Sequence, residues 1–536
     1  MVAPDKISEF LSSFLPAWRK VTWLAITAIL LAGSNVRTFA AAQAPQDHLQ
    51  QAVELISRGN LEAAEKEAQK ALARPSTAAP AYTILGTIRL QQRRLDESRE
   101  LLEKAIRLNP SLLGARLTLA QVYTLQGKTQ RAREVLQAAL QMAPGNPTPL
   151  MNLAQLEASA GNHQKSLELV KPIQESLRRS PDGLLLLLVS HLGVGDKEAA
   201  RGLVSDWLAL NGHVPPPLTI EFAKPLVESQ LAPEAVQVLE RARRDDPASF
   251  ELVFALGGAY LAEGNTRKAS EYYDLAGNQN NRCAVCFQQV ARIAQKDGEK
   301  EKALAYLIKA KAQSPENPEI LFEFGRLCLE ADLFRDAIPA LEKAAQLEPQ
   351  NARYKYGLAS AYVGKNRYKE ALALFHELLE KHPEDPLINY ALGSVLATEG
   401  TDLDDAENYL RKSIQLQPEQ IGGYYYLGMT VFKKGDQDQA VELFQKLLDR
   451  HPDHVASLEQ LGTILVRQRK YEEAQQVLEK VLRLDPKSLA GHYQYGQLLG
   501  RLGKAEESAK QIEIAKQLEE VRKKESKMEY HLLNPP

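Results

Sequence analysis

Cys283-Ala284-Val285-Cys286 is the place in this chain where residue type and spacing suggest redox or metal chemistry. The pair falls where a helix is expected to begin, a position that lowers a thiol pKa and permits a disulfide between cysteines three apart. Phe287 follows it, so the haem-attachment pattern is missing, and no second pair completes a zinc site. Small residues packing a helix start, with an incidental disulfide, also account for the pair. His376, Glu377 and His382 have the spacing His-Glu-x-x-x-x-His, not the His-Glu-x-x-His that puts two ligands on one helical face. His382 also directly precedes Pro383, so these read as surface residues. With no phosphate-binding glycine loop, nucleophile elbow or cysteine–histidine pairing in view, the sequence assigns no catalytic residue, no metal and no cofactor. What it offers is surface.

The elements that carry that surface follow from a period. Small residues return at Ala64, Ser98, Ala132, Ser166, Ala200, Ala235, Ala269, Ala303, Ala337, Ala371, Ala406, Ala440, Ala474 and Ser508, at gaps of 34 or 35. A second series lies twelve residues upstream, from Ala52 and Gly86 to Gly428, Gly462 and Gly496, with only Leu188 large. Two helices approach closely only where side chains are small, so the paired series mark a helix crossing inside each repeat. Pro110, Pro144, Pro247, Pro315, Pro349, Pro383, Pro418, Pro452 and Pro486 end the second helices. Gly59, Gly127, Gly161, Gly264, Gly298, Asn366, Gly435 and Gly503 suit the left-handed residue between the two helices.

Those residues resemble the tetratricopeptide repeat family. In one unit Leu427-Gly428, Gly435, Ala440, Phe444 and Pro452 fall at the family's Leu-Gly, Gly, Ala, Phe and Pro positions. About fourteen such units run from Pro45 to about Arg522. The resemblance implies an all-α fold: a right-handed superhelical solenoid of antiparallel helix-turn-helix units, first helices lining a concave groove, with a C-terminal capping helix. It also implies a protein that binds other proteins or peptides and is not an enzyme.

The fifth residue of each repeat, which family geometry turns toward that groove, is aromatic in much of the C-terminal half: Phe254, Phe322, Tyr356, Tyr390, Tyr425 and Tyr493. Arg292 and Arg326 follow one turn on, and Lys433, Arg467 and Arg501 further along. Tyr and Arg concentrate binding energy, so the row suits an extended or helical peptide with acidic and apolar groups. Tyrosines stacked between adjacent helices as packing would give the same pattern; exposure separates the two readings.

Asp182 to Pro217 departs from the pattern, with Leu184–Leu188 as five leucines and a closing Pro215-Pro216-Pro217. It is read either as a hinge between arrays at 45–214 and 215–522 or as a divergent unit that still packs. Residues 1–42 are expected to be a signal peptide: Arg19-Lys20 precede a thirteen-residue, mostly apolar run, Val21 to Gly33, and then Ala40-Ala41-Ala42. Residues 523–536 are expected to hold the end of the capping helix and a loose tail. The net charge of −2 is spread as alternating signs along the helices, which argues against nucleic acid as a partner.

The sequence therefore predicts an exported scaffold of a bacterial periplasm or cell envelope. Its expected partners are other proteins or peptides, envelope polysaccharide machinery among them; two other expectations are a carbohydrate- or peptidoglycan-associated protein of an export machine and a recruiting subunit for a separate enzyme. Contact with the membrane is expected only through the transient signal peptide.

Overall fold

The computed structural model describes residues 43–280 and 282–533, with side chains from 48 to 521; the expected signal peptide lies outside them. Every regular element among the described residues is helical, and the helices alternate as antiparallel pairs. Ile421–Lys434 with Gln437–Arg450, and Val455–Arg467 with Tyr471–Leu484, are typical. Such second helices are strongly amphipathic, with Ala440, Phe444 and Leu447 buried along one stripe and charge on the other.

The two small-residue series are the crossings they were expected to be. A Cβ on Gly428 would lie 2.9 Å from the Phe444 ring, and one on Gly462 would lie 2.6 Å from Leu478. Gly393 against Leu410 and Gly325 against Leu341 repeat the arrangement at 2.5 Å. Ala440 and Ala474, from the other series, are completely buried. Each crossing is close enough that a single methyl group must displace a core side chain.

The turns use left-handed residues as expected, but five of them, including Asp402 at φ 44°, are not glycine or asparagine. Arg93, Gln230, Asp332 and Arg469 occupy the same turn position with φ between 57° and 63°. A side chain there crowds the following carbonyl oxygen, so each stores backbone strain.

Two compact units divide between Glu299 and Lys300. In the N-terminal unit the triple proline begins a helix rather than ending a stack. Pro216–Glu228 starts at the second proline, where the missing amide costs nothing. The Trp207 and Phe222 rings stack across the prolines at 3.9 Å, and helix Pro181–Gly193 packs on Pro216–Glu228. Of the five leucines, Leu184, Leu187 and Leu188 are completely buried.

The N-terminal unit also buries a charge. Glu157 is fully shielded from solvent and accepts hydrogen bonds from Arg133 (2.7 and 3.1 Å), Lys165 (2.9 Å) and Asn162 (2.8 Å). In the C-terminal unit the last helix, Ala505–Leu533, packs on Leu489–Arg501.

Candidate functional site

In the C-terminal unit the fifth-position aromatics fall into a graded series. Phe322 is buried, seated over Gly357 of the next first helix, where an added Cβ would lie 2.8 Å from its ring. It also contacts Tyr354 at 5.1 Å and carries the Arg353 guanidinium at 4.3 Å. Tyr356 is half-buried, edge-on to Phe375 at 5.4 Å. Tyr390 is half-buried too, lying over Gly422 of the next first helix and meeting Tyr426 edge-on at 5.9 Å. Tyr425 touches Tyr426, Phe444 and His454 at 5.3, 6.1 and 5.7 Å. Tyr493 is 49% exposed. Burial pushes the phenols of Tyr356 and Tyr425 up from their ordinary value and that of Tyr390 to about 12, so these groups stay neutral. Phe254, in the N-terminal unit, is buried against Tyr273 and Phe250.

The cations of the C-terminal unit form a row at the ends of first helices. Lys433 donates to the carbonyl of Ala397 at 2.5 Å, in the last turn of Pro386–Glu399. Arg467 lies 4.8 Å over the Phe432 ring, and Arg501 donates to the Val466 carbonyl at 3.4 Å. Each long side chain thus reaches back to the preceding first helix, where Lys433 satisfies a carbonyl of the last turn and Arg501 adds a second bond to the Val466 carbonyl, which already accepts from the Arg469 amide. All three remain exposed along their lengths. Arg326 is paired with Glu330 one turn on, and Arg292 is half-buried in the N-terminal unit.

The structure therefore brings Tyr356, Tyr390 and Tyr425 onto a run of adjacent first helices and keeps Phe254 and Arg292 in the other unit. It adds residues that sequence reasoning missed. Leu387 is 50% exposed, and Met429, Phe432 and Tyr426 are half-buried around the same core. Helical spacing could have found them. Leu387 lies three residues before Tyr390, and Met429 and Phe432 lie four and seven after Tyr425.

Cys283 and Cys286 are joined by a disulfide at the start of helix Ala284–Lys296, with Cα atoms 5.3 Å apart. Cys328 is a buried free thiol whose pKa is raised to about 12, chiefly by burial. Among the described residues no group of three or more His, Cys, Asp or Glu side chains is placed to hold a metal ion. None of their helices is long and apolar enough to cross a membrane.

Comparison with known proteins gives matches to three models, each described as tetratricopeptide repeat. One matches residues 49–112, 221–281, 291–352 and 459–518. The others match 89–138, 124–188 and 329–395, and 423–487, so the matches together cover well over half of the chain. Human protein O-mannosyl-transferase TMTC1 is 25% identical over 166 residues, 30% of this chain and 19% of that protein. The TPR repeat-containing protein YpiA of Bacillus subtilis is 24% identical over 185 residues, 34% of this chain and 43% of that protein. The chain thus spans less than half the length of either curated relative. A crystal structure of the APC/C hetero-tetramer Cut9–Hcn1 aligns over 84% of this chain and 95% of the other, at 15% identity and a TM-score of 0.42.

Proposed function

The chain belongs to the tetratricopeptide repeat family, whose members generally mediate protein–protein interactions, and from that premise we propose that it is a binding scaffold whose C-terminal unit holds a partner segment on its first-helix face. The observation that carries this reading is the half-exposed apolar surface of Leu387, Tyr390, Tyr425, Met429, Phe432 and Tyr493, beside the row Lys433, Arg467 and Arg501. Tyr390, Tyr425 and Phe432 are held by packing against the core, so little of their side-chain freedom is lost when a partner covers them. The cations are tethered at one end and exposed along their length, which favours a segment carrying acidic groups beside apolar ones.

The packing of Phe254 and Phe322 narrows the site. Their rings are covered within the fold, so the proposed surface starts at Leu387 and runs toward Tyr493. Stacking on sugars is the less favoured reading, because sugar binding uses open ring faces and Tyr390 lies over Gly422. As to place, the run Arg19-Lys20 followed by Val21 to Gly33 supports an exported protein of the bacterial envelope, acting there as a non-catalytic scaffold.

The test is capture from the native cell envelope with the wild-type chain and with Leu387→Glu/Tyr493→Ala. Both residues are about half exposed, so the variant keeps its core, which circular dichroism checks. Loss of a captured partner with the folded variant supports the reading. A partner retained unchanged moves the site elsewhere.

A further inference from the structure

Six first helices in this array begin with a shared device. Ser180, Ser249, Asn317, Asp385, His454 and Ser488 each accept a hydrogen bond from the amide three residues on, at 2.8 to 3.3 Å. These are N-cap residues satisfying an amide that the helix leaves without a partner. Cys283 stands in the same column, 34 residues after Ser249 and 34 before Asn317. Its side chain makes no capping hydrogen bond. It is bonded instead to Cys286, the residue whose amide would receive the cap.

We propose that the Cys283–Cys286 disulfide is a redox-controlled helix cap. Oxidised, it joins covalently the two positions that those six first helices join by a side-chain hydrogen bond. Reduced, it leaves a thiol sulfur, a weak acceptor, as the cap. A packing contact rides on this start. The first turn carries Phe287, whose ring lies over Gly277 of the preceding helix, where an added Cβ would come within 2.6 Å. Loosening this turn loosens that contact.

The chemistry balances with a dithiol as reductant. One reductant thiolate attacks a sulfur of the pair and expels the other cysteine as thiolate. The second reductant thiol then displaces the mixed disulfide, so two electrons and two protons reach the cysteines and the reductant leaves as its own disulfide. The two sulfurs belong to residues that are 4% and 0% exposed, so reduction is gated by opening of the helix start.

Hydrogen exchange on the full chain tests the proposal, with dithiothreitol as the dithiol and alkylation confirming that free thiols rise by two. Reduction is expected to speed exchange of the 284–288 amides roughly fivefold, the factor one lost N-cap corresponds to, and to leave the capped start at 250–254 unchanged. Cys283→Ser with Cys286→Ala is expected to exchange slowly with or without reductant, because serine restores the capping acceptor. Cys283→Ala with Cys286→Ala is expected to exchange fast in both. Unchanged exchange after verified reduction, acceleration spread evenly over the N-terminal unit, or identical behaviour of the two double variants would each overturn the proposal.

Discussion

Removing the buried charge at Glu157 should loosen the N-terminal unit by a predictable amount. The carboxylate is fully shielded, and the Arg133 hydrogen bonds, with help from Lys165 and Asn162, hold its pKa down to about 2 against an ordinary 4.5. That difference corresponds to about 3 kcal/mol at neutral pH, an order-of-magnitude figure. The sign follows from the direction. A carboxyl whose pKa falls on folding stabilises the fold above its unfolded pKa, so the contribution is complete above pH 4.5 and fades as pH drops toward 2. At pH 3 the same linkage leaves about 1 kcal/mol. Glu157→Gln keeps the shape and removes the charge. Hydrogen exchange of Pro147–Ser159, corrected for intrinsic rates, should be faster in the variant by about two orders of magnitude at pH 7. The gap should shrink to about tenfold at pH 3. Equal protection at pH 7, or a gap that does not close with acid, would refute the reasoning.

Three further outcomes follow from named contacts. Tyr273 is buried with its hydroxyl lacking any protein partner, so Tyr273→Phe should raise the melting temperature, by about 1 kcal/mol in stability. A lower melting temperature would show that the hydroxyl is satisfied. Arg469→Gly relieves a left-handed residue at φ 60° and should stabilise the C-terminal unit by about 0.5–1 kcal/mol, read as slower exchange in Tyr471–Leu484. His454 caps Val455–Arg467 by accepting from the Ser457 amide at 3.2 Å, and burial lowers its pKa. The neutral imidazole is therefore the stabilising form. Stability carried by the cap should be present above about pH 6.5 and decline below it, while His454→Asn should keep the cap and lose that pH dependence.

The repeat period was legible because close helix crossing tolerates only small residues, and the Gly428 and Gly462 crossings show why. The turns were legible only where glycine or asparagine filled them. At Arg93 and Arg469 the closed hairpin imposes a left-handed residue that local preference opposes. Other features depend on neighbours that a sequence does not display. The slot that holds Glu157 holds Tyr123 one repeat earlier, whose hydroxyl donates to Glu103, and Tyr260 later, whose hydroxyl donates to Glu240. Only the facing helix shows that Arg133 replaces those partners. The aromatic row suits binding or packing alike in sequence, and Phe322 is buried because Gly357 leaves room for the ring. Leu387 stands outside the fifth-position series, three residues before Tyr390, so only the helical face around Tyr390 reveals it.

The most direct test of the binding surface is photocrosslinking in the native envelope from a benzophenone side chain placed at Leu387 or Tyr493, and separately at Leu347 or Leu484. All four sites lie in the C-terminal unit and are 39–50% exposed, the first two on first helices and the last two at the ends of second helices. A common partner crosslinked from Leu387 and Tyr493 and absent from Leu347 and Leu484 is the predicted result. Crosslinks confined to Leu347 and Leu484 would contradict the assignment and place the partner on the second-helix edge.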